Sequence, residues 1–188
     1  MPADMNLSLY SLDAFIILDT EGNRVLAKYY HPKAHPNGQP TALRTLKDQR
    51  AFEKGLWQKT KQPAKDIILY DGKLAVYRHS LDVVMYFIAG PAENELLLSV
   101  ALNCFYDAIT MLLRNPLEKR GIMENLDLVL LCHDETIEDG IIFDTDSASI
   151  ASRVTRARPD TTEIVINEQS ILSAYQTVKQ KMQRIGQL

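Results

Sequence analysis

The side chains best suited to chemistry in this sequence are spread widely along the chain. Zinc sites use histidine, cysteine and carboxylate ligands at short, regular spacings. The candidates here are scattered: His31, His35, His79, His133, Cys104 and Cys132. We expect structural or surface roles for these histidines, and reduced core thiols for both cysteines, which lie inside apolar segments. No metal site and no cofactor site is predicted.

Motifs for hydrolysis and for phosphate binding are also missing. The sequence has no Gly-x-Ser-x-Gly elbow, no His-Glu-x-x-His pair and no glycine-rich phosphate loop. Six carboxylates do cluster between residues 134 and 146, but a calcium loop opening at Asp144 would need an oxygen ligand and a glycine where Ala148 and Ser149 stand. We therefore predict a solvated helix end with Asp146 as an N-cap, and we do not expect an enzyme.

Basic residues form one local pattern. Lys47, Arg50 and Lys54 recur at spacings of three and four, so they share one side of a predicted helix. This side could contact phospholipid headgroups or an acidic partner, or it could simply be solvated. The chain as a whole has 21 basic and 24 acidic residues, a net charge of −3. We therefore expect no nucleic-acid binding.

The length of 188 residues, 46% of them hydrophobic, is enough for one domain with a substantial core. We predict a main domain over residues 1–158 and a helical tail over 159–188. The longest uninterrupted apolar run, residues 83–89, is far shorter than the ~20 residues of a membrane span. The first residues also lack a secretory signal pattern, so we expect a cytosolic protein.

Apolar patterns and turn signals predict the order of the elements. Two strands flank a turn at residues 19–23, a helix follows, and three strands joined by turns at 71–72 and 79–81 precede a long helix. The predicted strands span 9–18, 24–30, 66–70, 73–78 and 82–89. The predicted helices span 44–59, 91–114, 117–125, 126–137, 147–155 and 167–185. Pro91 is assigned to the first position of the long helix.

The long helix is apolar over much more than the ~100° stripe of an ordinary surface helix. Only a narrow strip of it is polar, so we expect it to be covered on more than one side. The cover can come from other helices of this chain, and also from another subunit. This feature is the strongest indication of a binding partner that comes from the residues alone.

Five segments of the sequence resemble the zeta subunits of coatomer, and the resemblance runs from about residue 7 to 154. They are SLYSLDAFIILD (8–19), RVLAKYY (24–30), FEK (52–54), ENEL (93–96) and DETIEDG (134–140). The small sigma subunits of clathrin adaptors look like more distant relatives. The resemblance implies an α+β, longin-like fold, an α/β sandwich with a five-stranded antiparallel sheet flanked by helices and with additional C-terminal helices.

The same resemblance implies a non-enzymatic subunit of the coatomer vesicle coat without cofactors. Such a subunit pairs with the gamma subunit solenoid, joins the remaining coatomer subunits and depends indirectly on an ADP-ribosylation-factor GTPase. Its place would be the cytosolic face of Golgi membranes and coated vesicles, in Golgi-to-ER retrograde and intra-Golgi transport. Two alternatives stay open: a sigma-type chain that reads leucine-based sorting signals, and a GTPase-regulatory longin module.

Large apolar and aromatic side chains are the candidates for partner contact, because such residues dominate binding at interfaces. Two come from the first helix, two from the strands and three from the long helix. They are Leu56, Trp57, Tyr70, Tyr86, Leu98, Leu102 and Tyr106.

Overall fold

The computed structural model describes residues 9, 11–30, 43–62 and 66–155. The chain divides into two units, Met1–Thr155 and Arg156–Leu188. The second unit, the segment 31–42 and the predicted helix at 167–185 lie outside the described residues. The domain boundary at 158 therefore stays a prediction.

Five strands form one antiparallel sheet in the order β2-β1-β5-β4-β3, which confirms the predicted sheet and the α+β class. They are β1 (Ala14–Asp19), β2 (Arg24–Tyr29), β3 (Ile67–Tyr70), β4 (Lys73–Ser80) and β5 (Val83–Ala89). The helices are α1 (Leu46–Thr60), α2 (Glu95–Leu113), α3 (Lys119–Glu124), α4 (Leu126–Thr136) and α5 (Ser147–Val154). A short hairpin, β6 (Ile137–Glu138) and β7 (Ile141–Ile142), separates α4 from α5.

The sheet has a hydrophobic core on each face. Phe15 and Ile17 of β1 belong to a core with α2, α4 and α5, whereas Ile16 and Leu18 belong to a second core with α1. This division follows from the two-residue period of a strand, which turns successive side chains to opposite faces. The central strands β1 and β5 are buried on both faces, so they are continuously apolar instead of alternating.

Three predicted details are wrong. Helix α2 begins at Glu95 and Pro91 lies in the preceding turn, because Asn94 caps the helix and accepts hydrogen bonds from the backbone N–H groups of residues 96 and 97. Strand β4 continues to Ser80, so the turn is 81–82 instead of 79–81. Asp139 and Gly140 do not simply end a helix; they form the turn between β6 and β7, with positive φ at both residues.

By length and composition, α2 is the one helix of the described residues that could cross a membrane. Its inner face instead packs on the sheet, where Leu98, Ala101, Leu102 and Phe105 are at most 2% exposed. We therefore interpret α2 as a core helix.

Candidate partner-binding surface

Most of the exposed large apolar side chains lie on one side of the molecule. Twelve such side chains are exposed among the described residues, and eight of them belong to α2, α3, α4 or the segment before α5. We call these eight the helical-layer surface: Leu96, Leu97, Val100, Met111, Met123, Leu130, Leu131 and Phe143. Scattered single apolar residues are normal on a protein surface, but a concentration on one layer indicates an interaction site.

Helix α2 contributes half of the helical-layer surface. Its inner face packs on the sheet, and α4 and α5 cover its flanks. On its outer face, Leu96 is 69% exposed and Val100, one turn later, is 52% exposed. The wide apolar stripe of the sequence is thus covered in part by this chain, and the described residues leave one sector of it open to solvent.

Polar residues border the open sector of α2. Arg78 of β4 donates a hydrogen bond to Asn103 at 2.5 Å and lies 3.9 Å from the Asp107 carboxylate. The same guanidinium stacks 3.6 Å from the ring centroid of Tyr106, a cation–π contact. A partially exposed charge beside apolar side chains is the usual arrangement of a polar rim around an apolar contact.

Four of the seven predicted contact residues lie inside the cores. Leu56 and Tyr86 pack between the sheet and α1, and Leu98 and Leu102 pack between the sheet and α2. All four are at most 2% exposed. The hydroxyl of Tyr86 forms a 2.6 Å hydrogen bond with Thr60, and burial raises the pKa of this tyrosine to about 12. The side chains of these four residues stabilise the fold, so we do not propose them as contacts.

The other three predicted residues are partly exposed, but they do not form one cluster. Trp57 and Tyr70 lie on the α1 side of the sheet, where Tyr70 packs on Phe52 with ring centroids 5.3 Å apart. Tyr106 lies on the opposite side, on α2. Partner contact through any of the three stays a prediction. The basic residues at 47, 50 and 54 are all exposed on α1, as expected.

Three of the six carboxylates of the acidic segment form ion pairs with basic side chains. Arg153 of α5 donates to Glu135 at 2.6 Å and to Asp144 at 2.8 Å, and Lys28 pairs with Asp134 at 2.6 Å. Asp146 caps α5, as predicted. Within the described part of the chain, no group of histidine, cysteine and acidic side chains could hold a metal ion.

Buried titratable groups in the helical layer contribute to packing. Both cysteines are reduced and buried, and burial raises the pKa of Cys104 to about 11 and that of Cys132 to about 12. Thiols with such pKa values are poor nucleophiles at neutral pH. His133 is fully buried and stacks on Phe15 with ring centroids 4.5 Å apart, and burial lowers its pKa. Its ring also contacts the Tyr30 hydroxyl at 2.9 Å.

The residues predicted from the sequence are large side chains, of which four are buried, and they do not include the exposed Leu96 and Val100. Leu96 and Val100 belong to the same wide apolar stripe of the long helix as the buried Leu98 and Leu102, and nothing in the sequence says which part of the stripe faces the sheet. The excess width of the stripe was the available signal, since it means that part of the stripe lacks a partner within an ordinary two-layer packing.

Comparison with known proteins identifies the family. The clathrin adaptor complex small chain family matches residues 11–161. Coatomer subunit zeta of Saccharomyces cerevisiae is 35% identical over 180 residues, which cover 95% of each chain. Human coatomer subunit zeta-1 is 34% identical over 175 residues, 93% of this chain and 92% of the human one. Coatomer subunit zeta-1 of Oryza sativa subsp. japonica is 35% identical over 176 residues, 92% of this chain and 94% of the rice one.

The fold agrees with this assignment. A chain in a homology model of the full-length AP-3 complex in a stretched open conformation aligns with a TM-score of 0.57 at 13% identity, over 90% of this chain and 98% of that one. This chain therefore belongs to the clathrin adaptor complex small chain family, in which the relatives named above are coatomer zeta subunits.

Proposed function

We propose that this chain is a non-enzymatic small subunit of the coatomer vesicle coat, and that it pairs directly with the gamma subunit through the helical-layer surface. Through that complex it would join the remaining coatomer subunits and associate peripherally with Golgi membranes, indirectly under an ADP-ribosylation-factor GTPase. Its role would be Golgi-to-ER retrograde and intra-Golgi transport. The observation that carries the proposal is the identity to coatomer zeta over nearly the full length of both chains.

The exposed apolar side chains support the part of the proposal that concerns binding. Complete burial of a leucine or valine side chain is worth about 1.5–3 kcal/mol. Leu96 is 69% exposed and Val100 is 52% exposed, so a partner that covers both would gain about 2–3.5 kcal/mol from these two side chains. A helical solenoid offers a long concave surface of the kind that can cover a helical layer.

Affinity purification of the tagged chain from cytosol, followed by mass spectrometry, tests the assignment to a coat. We expect a gamma-type solenoid and the other coatomer subunits at stoichiometric levels. Recovery of clathrin-adaptor large chains would instead favour a sigma-type role. A lone monomer would contradict the proposal.

A double variant tests the surface. Leu96→Gln with Val100→Gln should weaken binding of the purified gamma subunit by roughly 30- to 400-fold, the equivalent of about 2–3.5 kcal/mol. It should leave the thermal unfolding of the isolated chain nearly unchanged, because both side chains are already exposed. Leu46→Gln is the matched control, since Leu46 is 54% exposed but lies on α1, across the sheet. Equal affinities for the double variant and the control would contradict the assignment of this surface.

A further inference from the structure

The two edges of the sheet differ in how they are protected. Unprotected edge strands pair readily with other chains, and proteins usually place charged side chains on them to prevent it. The edge strand β2 carries Arg24 and Lys28, which form ion pairs with Glu53 of α1 and Asp134 of α4. The opposite edge strand, β3, has the sequence Ile-Ile-Leu-Tyr and no charged side chain. Among the described residues, no strand pairs with its outer side.

The register of β3 shows which backbone groups point away from the sheet. Tyr70 is paired with Lys73 across a two-residue turn, and the Tyr77 N–H donates to the Asp66 carbonyl at 2.8 Å. Hydrogen-bonded pairs alternate along an antiparallel ladder, so residues 66, 68 and 70 bond to β4. The N–H and C=O groups of Ile67 and Leu69 therefore point outward, at the spacing that an added antiparallel or parallel strand requires.

The side chain of Leu69 adds an apolar contact at the same place. It is 68% exposed, which is similar to Leu96. Ile67, two residues earlier on the same face of the strand, packs against the core beneath α2. Leu69 therefore faces the side of the sheet that carries the helical layer, and a partner seated on that layer would reach β3 without crossing the sheet.

We infer that the outer edge of β3 binds an extended segment of the large coat subunit as an added strand, with Leu69 in an apolar contact beside it. This inference rests on the proposed pairing with the gamma subunit. A second copy of this chain is a poorer occupant, because pairing two four-residue strands buries much less than the roughly 1,200 Å² of a stable interface. A segment of a partner that is already bound to the helical layer can pair with β3 over a smaller buried area, because the effective concentration of the segment near β3 is high.

Two substitutions at one position separate backbone pairing from side-chain contact. Leu69→Pro removes the outward N–H, and the ladder with β4 does not use this group. Leu69→Thr keeps the N–H and a strand-forming side chain. We expect Leu69→Pro to weaken gamma-subunit binding about tenfold more than Leu69→Thr does, and amide exchange at residue 69 to be fast in the isolated chain and slow in the complex.

Each other outcome contradicts the inference in an identifiable way. If Leu69→Pro and Leu69→Thr weaken gamma-subunit binding equally, the partner contacts only the side chain of Leu69. Slow amide exchange at residue 69 in the isolated wild-type chain would mean that the edge of β3 is already covered. If the wild-type chain forms a dimer and the Leu69→Pro variant does not, the occupant of the edge is a second copy of this chain. If both variants bind normally while Leu96→Gln with Val100→Gln does not, the strand addition is wrong and the proposed function stands. If the wild-type chain does not bind the gamma subunit, the proposed function itself fails.

Discussion

Gly55 lies in the middle of α1, directly against the ring of Tyr70 at the end of β3. A Cβ atom at position 55 would lie 2.9 Å from Cζ of Tyr70 and closer still to its hydroxyl oxygen. Tyr70 is in turn packed on Phe52, with ring centroids 5.3 Å apart. The glycine therefore allows the helix and the edge strand to approach each other, and a larger residue should force Tyr70 to move.

The expected size of the effect follows from two opposing contributions. Gly→Ala inside a helix ordinarily stabilises by about 1 kcal/mol, because alanine has the better helix propensity. Overpacking a core contact costs about 1–3 kcal/mol. At position 55 the clash should dominate, so we expect Gly55→Ala to lower the free energy of unfolding by about 1 kcal/mol.

Urea unfolding followed by the fluorescence of Trp57, the single tryptophan, measures this change. Gly121→Ala is the matched control: Gly121 is also inside a helix, but its Cβ would make only an ordinary 3.6 Å contact with Glu118. The control should be stabilised or unchanged. In a Tyr70→Phe background, Gly55→Ala should lower the free energy of unfolding by less, because the hydroxyl oxygen nearest to the new Cβ is absent. Stabilisation of Gly55→Ala to the extent seen for Gly121→Ala would refute the packing of Tyr70 over α1.

Three further substitutions test separate features of the fold. Leu81 has a φ of +40° in the turn before β5, and this conformation costs leucine about 1 kcal/mol or more. Leu81→Asn should therefore raise the midpoint of urea unfolding. A lower midpoint would show that the backbone of Leu81 is not strained. Asp146→Ala removes the acceptor for two N–H groups of α5 and should destabilise by about 1 kcal/mol in the same assay, whereas Asp146→Asn should lose little. Burial lowers the pKa of His133. Below about pH 6.5 this histidine therefore becomes protonated in the unfolded chain while it stays neutral in the native chain. The unfolding free energy should then fall as the pH drops from 7 to 5, by at most about 1.4 kcal/mol per pH unit for this group, and His133→Gln should flatten that decrease.

Elements with strong local signals were predicted well. The Asp71-Gly72 turn, the apolar alternation around it and the cap at Asp146 each depend on residues within a few positions of one another. The β6–β7 hairpin was missed because its strands are two residues long and continue directly from α4. A periodicity signal needs more residues than that to separate a strand from a helix.

The candidate surface was harder to predict than the fold. Size and aromatic character selected Tyr86 and Leu102, which the structure places at no more than 2% exposure. Leu96 and Val100 are also apolar, but they are 69% and 52% exposed. Hydrophobicity alone does not say whether an apolar side chain meets the core of its own chain or the surface of another.

The sequence by itself determined the order of the five sheet strands and the helices, the antiparallel sheet, the lack of a recognisable catalytic motif and the resemblance to coatomer zeta, since each depends on local pattern or on matching residues. Only the tertiary structure decided which apolar side chains of α2 are exposed and which strands are the sheet edges. It also brought Gly55 against Tyr70 and stacked His133 on Phe15. The physical reason is that burial and close packing depend on residues far apart in the chain, whose positions are set only when the helices pack on the sheet.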